Sequence, residues 1–258
     1  ATAIIALRLL QDALVPRILG YLYSQTGDHA SAISAYQQAA ALGDRDIQTW
    51  LGLGNEYLMI EDFERAAGAF QQAVQLDPNH AQAHSNLGYA LARLGRFDEA
   101  IQENRRVLEI NPKDYISHRN LVLLYRDTNR LAEAIQQAQL MVDTTPDAEL
   151  GPTYELVGNV YERAGQPTEA AKAYYQAGEV YMRQGRLEDA LRVYQGLTQL
   201  TPDDYRVYRQ LAEVFRQLKR WDEALAATNL ALAKAPMEQR EDIQQLATQI
   251  EREKGQAP

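Results

Sequence analysis

Four histidines, at 29, 80, 84 and 118, are the side chains of this 258-residue sequence most suited to catalysis or metal ligation. Cysteine is absent, so thiol nucleophiles, thiolate metal sites and disulfides are excluded together, and the lack of thiols fits either redox compartment. His80 and His84 stand four apart, a spacing that can put two ligands on one helix face. His80, however, falls at the end of a loop, and no third ligand is near in sequence. His84 and His118 recur where Trp50 stands elsewhere, which is a packing position. Gly52-Leu53-Gly54 looks like a fragment of a phosphate loop, yet it lacks the preceding strand and the third glycine. Asp203-Asp204 follow Pro202 at a helix start, where negative charge is favourable in any case. No serine has a histidine and an acid in a nucleophile context. The expectation is no enzyme, no metal site and no cofactor. Recognition chemistry is better supplied. Tyrosine outnumbers Phe and Trp, 15 against 4 and 2, and offers a rigid apolar ring with a polar tip.

The elements that position these residues follow a ruler of 34 residues. Trp50, Leu53, Gly54, Tyr57, Ala66, Phe70, Ala73 and Pro78 are matched by His84, Leu87, Gly88, Leu91, Ala100, Asn104, Val107 and Pro112. A further step gives His118, Leu121, Val122, Tyr125, Ala134, Ala138, Met141 and Pro146. The ruler also lands backwards on Pro16, Leu19, Gly20, Tyr23, Ala32, Tyr36 and Ala39. Near the C-terminus it fits Tyr208, Leu211, Ala212, Phe215, Ala224, Thr228, Ala231 and Pro236. Each unit holds two apolar stripes of helical period separated by a turn such as Leu94-Gly95-Arg96 or Gln184-Gly185-Arg186. The spacing predicts an all-α chain of helix pairs. The prolines stop second helices, and the small residues let paired helices approach closely.

This pattern resembles the tetratricopeptide repeat (TPR) family over nearly the whole chain. The resemblance implies a right-handed solenoid of six to seven helix-turn-helix units with a concave groove that binds protein segments. The ruler breaks once. Tyr154, Val157, Gly158, Tyr161, Ala170, Tyr174 and Ala177 open a unit, but Tyr174, Ala177, Gly178 and Tyr181 already begin the next. One helix, about 168–184, must serve both registers, which predicts an irregular junction near 146–186 that bends the array. The expected organisation is an N-terminal cap helix with four repeats over 1–148. Over 149–258 come irregular repeats, a final repeat and a C-terminal capping helix with Ile243, Leu246, Ala247 and Ile250. Asp147 to Pro152 is the expected linker.

On the face that in TPR proteins looks into the groove, the resemblance implies partner-binding residues. These are Arg17, Tyr21, Asn55, Asn86, Tyr89, Arg119, Arg126, Asn159, Tyr175, Arg206, Arg209 and Arg216. Arginine forks hold carboxylates bidentately, so an acidic or C-terminal peptide segment is the expected ligand. The family's carboxylate clamp is matched only in part, by Asn55, Asn86, Arg119 and Asn120, with Leu51 where a clamp lysine is expected. The formal charge of −9 argues against nucleic acid. No apolar run spans a bilayer, since Arg8 interrupts Ala1 to Val15. The chain opens at Ala1, which leaves room for an anchor or signal removed upstream, and with it a membrane-associated rather than a cytoplasmic location. The apolar stretch Ala3 to Leu14 offers a cap or, as the alternative reading, a surface for self-association into a homodimer. With 21 Arg, 5 Lys and 25 Gln, the chain is also similar to TPR assembly factors of photosynthetic bacteria and plastids. That likeness implies a role in assembling membrane complexes.

Overall fold

The computed structural model describes the backbone of residues 2–256 and the side chains of 13–256. Residues up to Asn129 form one compact unit and those from Arg130 form a second. The first holds seven helices: α1 (Thr2–Thr26), α2 (His29–Ala41), α3 (Ile47–Met59), α4 (Phe63–Leu76), α5 (Ala81–Arg93), α6 (Phe97–Ile110) and α7 (Tyr115–Asp127). The second holds α8 (Leu131–Thr144), α9 (Leu150–Arg163), α10 (Pro167–Arg183), α11 (Leu187–Leu200), α12 (Tyr205–Gln217), α13 (Trp221–Lys234) and α14 (Arg240–Gly255). No strand occurs among the described residues.

Local chemistry sets the helix ends. Asp28, Asp46, Asp62, Asp114 and Asp204 cap the helices that follow them, each side chain accepting a backbone N–H of the first turn. The turn inside a helix pair passes through one left-handed residue. Glycine takes it at Gly95 and Gly185, but Glu61 and Lys219 hold φ values of 59° and 58° in the equivalent turns. Such residues cost about 1 kcal/mol there, which packing on both sides outweighs.

Packing within four of the pairs rests on one recurring contact, a glycine of the first helix beneath a ring of the second, whereas Gly88 of α5 meets Asn104 of α6 instead. Gly20 lies under Tyr36, Gly54 under Phe70, Gly158 under Tyr174 and Gly178 under Tyr194. A Cβ added to Gly54 would meet Phe70 at 2.5 Å, and one on Gly158 would meet Tyr174 at 2.7 Å. At one position of the repeat, Ala32, Ala66, Ala100, Ala134, Ala170, Ala190 and Ala224 are fully buried.

The same contact identifies the junction. Helix α10 supplies Tyr174 to cover Gly158 of α9, and four residues later supplies Gly178 to receive Tyr194 of α11. It is therefore the second helix of one pair and the first of the next. At 17 residues it is longer than the 13 of α3, α5, α7 or α12. Helices α9 and α11 are tied across it. Tyr181 donates to Glu155 Oε1 at 2.5 Å, and Arg192 grips both Glu155 oxygens at 2.7 and 2.8 Å.

The compact units divide at the Asn129 turn. Two expectations differ from the structure. Asp147 to Pro152 is not a loose linker: Asp147–Glu149 is a 3₁₀ turn running into α9, with Gly151 buried under Tyr181. Its glycine and proline read as breakers but occupy a first helical turn, where a missing N–H costs nothing. Finally, α1 runs unbroken through Pro16, so among the described residues the expected cap stretch and the first repeat helix are one helix. Of the stretch Ala3 to Leu14 expected as a cap or self-association surface, the side chains up to residue 12 lie outside the described residues. At the other end α14 buries Ile243 and Ile250 and turns a polar face outward.

Candidate peptide-binding grooves

Each unit carries a groove between consecutive first helices of its pairs. In the first unit a groove of about 450 Å³ lies between α1 and α3. Ile18 and Tyr21 form one wall, Leu51 and Asn55 the other, and Tyr36 of α2 with Gly52 the floor. Tyr21 is 57% exposed, whereas Tyr36 is 4% exposed. Burial pushes the Tyr36 phenol above its usual range, with Glu56 and Tyr21 adding to the effect. The Glu56 carboxylate, itself buried, meets His29 Nδ1 at 2.7 Å. Arg17 reaches Asp44 at 3.6 Å and also pairs with Asp46, so its charge is spent inside the fold.

In the second unit a groove of about 570 Å³ lies between α10 and α12, with the end of α11 beneath. Leu197, Leu200 and Val207 line it with Tyr175. The Tyr175 ring stands edge-on to Tyr194 at 5.7 Å, and its hydroxyl accepts from Gln210 at 3.0 Å. Two contacts therefore fix its orientation. The first turn of α10, Pro167 and Thr168, closes one end, because the shared helix starts earlier than an ordinary first helix. Lys172 and Arg206 stand at the rim with side chains 71% and 66% exposed. Arg206 holds Asp204 at 2.7 Å, and that hydrogen bond keeps the Asp204 carboxyl below the usual carboxylate range. Among the described residues, Lys172 has only Glu169, at 3.9 Å, as an ion-pair partner.

The structure thus gathers Arg17, Tyr21 and Asn55 in one groove and Tyr175 and Arg206 in the other. The remaining expected residues are scattered or engaged. Arg216 is clasped by Glu213 at 2.6 Å and Glu253 at 2.8 Å. Arg126 meets Asp127 at 2.8 Å. Asn86 donates to Asn55 at 3.2 Å and accepts from Gln82 at 2.7 Å, so the clamp-like asparagines hold each other. Asn120 likewise donates to Asn104 at 3.2 Å. Tyr89 is exposed and accepts from Arg93, whose guanidinium lies over Phe63 at 4.1 Å. Asn159 sits beside the Tyr174 hydroxyl, which donates to Glu162 at 2.9 Å. Arg119 and Arg209 are exposed and form no ion pair among the described residues.

Sequence reasoning missed Lys172 and a recurring loop closure. His84 Nε2 lies 3.0 Å from the Pro78 carbonyl, His118 Nε2 3.0 Å from Pro112, and the Tyr208 hydroxyl donates to Pro202 at 3.0 Å. The polar tip of the first ring in the repeat ties down the proline six residues earlier. His84 Nδ1 also meets Glu103 at 2.6 Å, and His80 caps α5 through its ring. Among the described residues no group of three His, Cys, Asp or Glu side chains converges as metal ligands would. No described helix is long and apolar enough to cross a membrane.

Helix pairs stacked through glycine–ring crossings, with grooves between their first helices, define a helical-repeat protein. Family models described as tetratricopeptide repeat match residues 51–115 and 175–237, and a second such model matches 18–42. Together they cover more than half of the sequence, and the chain belongs to the tetratricopeptide repeat family. No curated protein matches it. Among solved structures, it is similar to the MamA protein at 24% identity and a TM-score of 0.65, over 68% of this chain and 95% of that one. MamA of Desulfovibrio magneticus RS-1 gives 21% identity and 0.61, over 67% and 97%. YrrB, described as a TPR protein with an unusual peptide-binding site, gives 20% and 0.59, over 69% and 90%. At these identities the likeness is one of fold.

Proposed function

We propose that the chain is a non-catalytic scaffold that holds an extended segment of a partner protein, with the α10/α12 groove as its principal site. One observation carries this reading: an apolar groove of about 570 Å³ with an oriented tyrosine inside and a nearly unpaired lysine at its rim. An apolar side chain of the partner fills the groove, and an acidic neighbour meets Lys172. The peptide-binding site named for YrrB supports the reading by fold analogy alone. A scaffold that grips one segment and leaves its other helix faces open suits an adaptor or assembly factor.

The test uses fluorescent peptides selected from a pool with one fixed leucine followed by glutamate. Tyr175→Ala and Lys172→Glu are each expected to weaken binding about tenfold, the effect of losing one aromatic anchor or one charge contact. Lys172 is exposed, so Lys172→Glu should leave helicity and melting unchanged; Tyr175 packs against Tyr194, so circular dichroism of Tyr175→Ala separates lost binding from lost packing. Equal affinity of wild type and both variants contradicts the assignment of this groove.

A further inference from the structure

Tyr36 and Phe70 occupy the same repeat position, each ring covering a glycine of the preceding helix, Gly20 and Gly54. Phe70 shows that the crossing needs no hydroxyl. Tyr36 carries one nevertheless, on a side chain more than nine-tenths buried, and the hydroxyl finds no hydrogen-bond partner among the described residues. Its phenol end continues past the crossing to Gly52 of α3, where an added Cβ would sit 2.7 Å from the hydroxyl oxygen. The corresponding residue one repeat later is Asn86, so a side chain is tolerated there when no tyrosine points at it. Tyr36 and Gly52 act together. One extends a hydroxyl and the other removes the atoms that would cover it, and both line the floor of the α1/α3 groove.

We propose that the Tyr36 hydroxyl is a main-chain anchor, donating to a backbone carbonyl of an extended partner segment that lies in the α1/α3 groove. A phenol donor at the bottom of a narrow groove suits a backbone carbonyl, which every residue of an extended chain presents. Ile18, Leu51 and the exposed ring of Tyr21 receive an apolar side chain from the same segment. The charge of the groove selects against the acidic ligand suited to the second unit. Asp44 and Asp46 together outnumber Arg17, Asp46 stays 39% exposed, and the buried Glu56 carboxylate, held by His29, lies beneath the floor. The segment therefore carries a lysine or arginine next to its apolar residue.

This inference rests on the reading of the grooves as peptide sites, and the experiment separates the two. Two pools of acetylated, amidated octapeptides are screened on the whole chain by fluorescence anisotropy, one with a fixed Leu-Lys and one with a fixed Leu-Glu. Leu-Lys binders are expected to weaken about five- to tenfold on Tyr36→Phe, the loss of one hydrogen bond, and to be indifferent to Tyr175→Ala. Tyr36→Phe removes only the hydroxyl, so its melting temperature should stay the same or rise. Gly52→Ala gives a second, steric test. Leu-Lys binders unaffected by Tyr36→Phe overturn the anchor while leaving the groove reading intact. If neither pool yields a binder, both fall.

Discussion

Gly178→Val is expected to destabilise the second unit by about 3 kcal/mol or more, enough to separate its unfolding from that of the first. The Cβ alone would meet Tyr194 Cζ at 2.5 Å, and Tyr194 is fully buried, with no space to withdraw. The position lies on α10, so the clash breaks the α10/α11 crossing directly and loosens α9 through the same helix. Gly196→Ala on α11 is the control. Nothing lies within 4 Å of its added Cβ, and the residue is exposed. There alanine should stabilise by about 0.5 to 1 kcal/mol through helix propensity. Thermal or urea unfolding followed by circular dichroism reads both. A Gly178→Val protein that melts like wild type contradicts the shared-helix packing.

The second large effect is expected at Glu155. Burial acts to raise its carboxyl, but hydrogen bonds from Arg192 and Tyr181 more than offset this and hold it below the usual carboxylate range. Glu155→Gln should cost about 2 kcal/mol, because the Arg192 fork and the Tyr181 hydroxyl both lose an ionised acceptor. Arg192 is 57% exposed, so solvent screens part of the pair and keeps the loss below that of a fully buried one. The sign of the pH dependence follows. A carboxyl with a depressed pKa in the folded state contributes its stability above the unfolded value, roughly pH 4.3, and loses it as pH falls through the folded value. The stability gap between wild type and Glu155→Gln should be full at neutral pH and close in acid. A gap that stays constant from pH 7 to pH 3 would show that the charge of Glu155 does not matter.

The fold was legible because its determinants are local or strictly periodic. Glycine at 54 and 158, alanine at 66 and 170, and prolines at fixed spacing specify helix pairs whatever the partner residues do. Even the shared helix could be read, since Tyr174 and Gly178 satisfy two registers within one stretch. The groove residues were legible only as a face. Their availability depends on acids elsewhere that no single-helix pattern displays. Arg216 is consumed by Glu253 and Arg192 by Glu155, in both cases 37 residues away. Opposite charges one repeat plus one helical turn apart are a signal that could have found both pairs. Arg206 is engaged even more locally, by the capping Asp204. Lys172 is inconspicuous in the sequence because it falls in the first turns of a helix whose pattern is dominated by its apolar ruler. The Tyr36 hydroxyl was hidden by its ring, which fills a core position that Phe70 fills as well.

Amide hydrogen exchange of the whole chain, with and without a saturating Leu-Glu peptide from the selected pool, tests the central claim most directly. Binding in the α10/α12 groove predicts slowed exchange in the first turns of α10 and α12 and at the end of α11, with α2, α4 and α13 unchanged. Protection confined to α13, α4 or α2, with α10 and α12 exchanging as in the free protein, would contradict it.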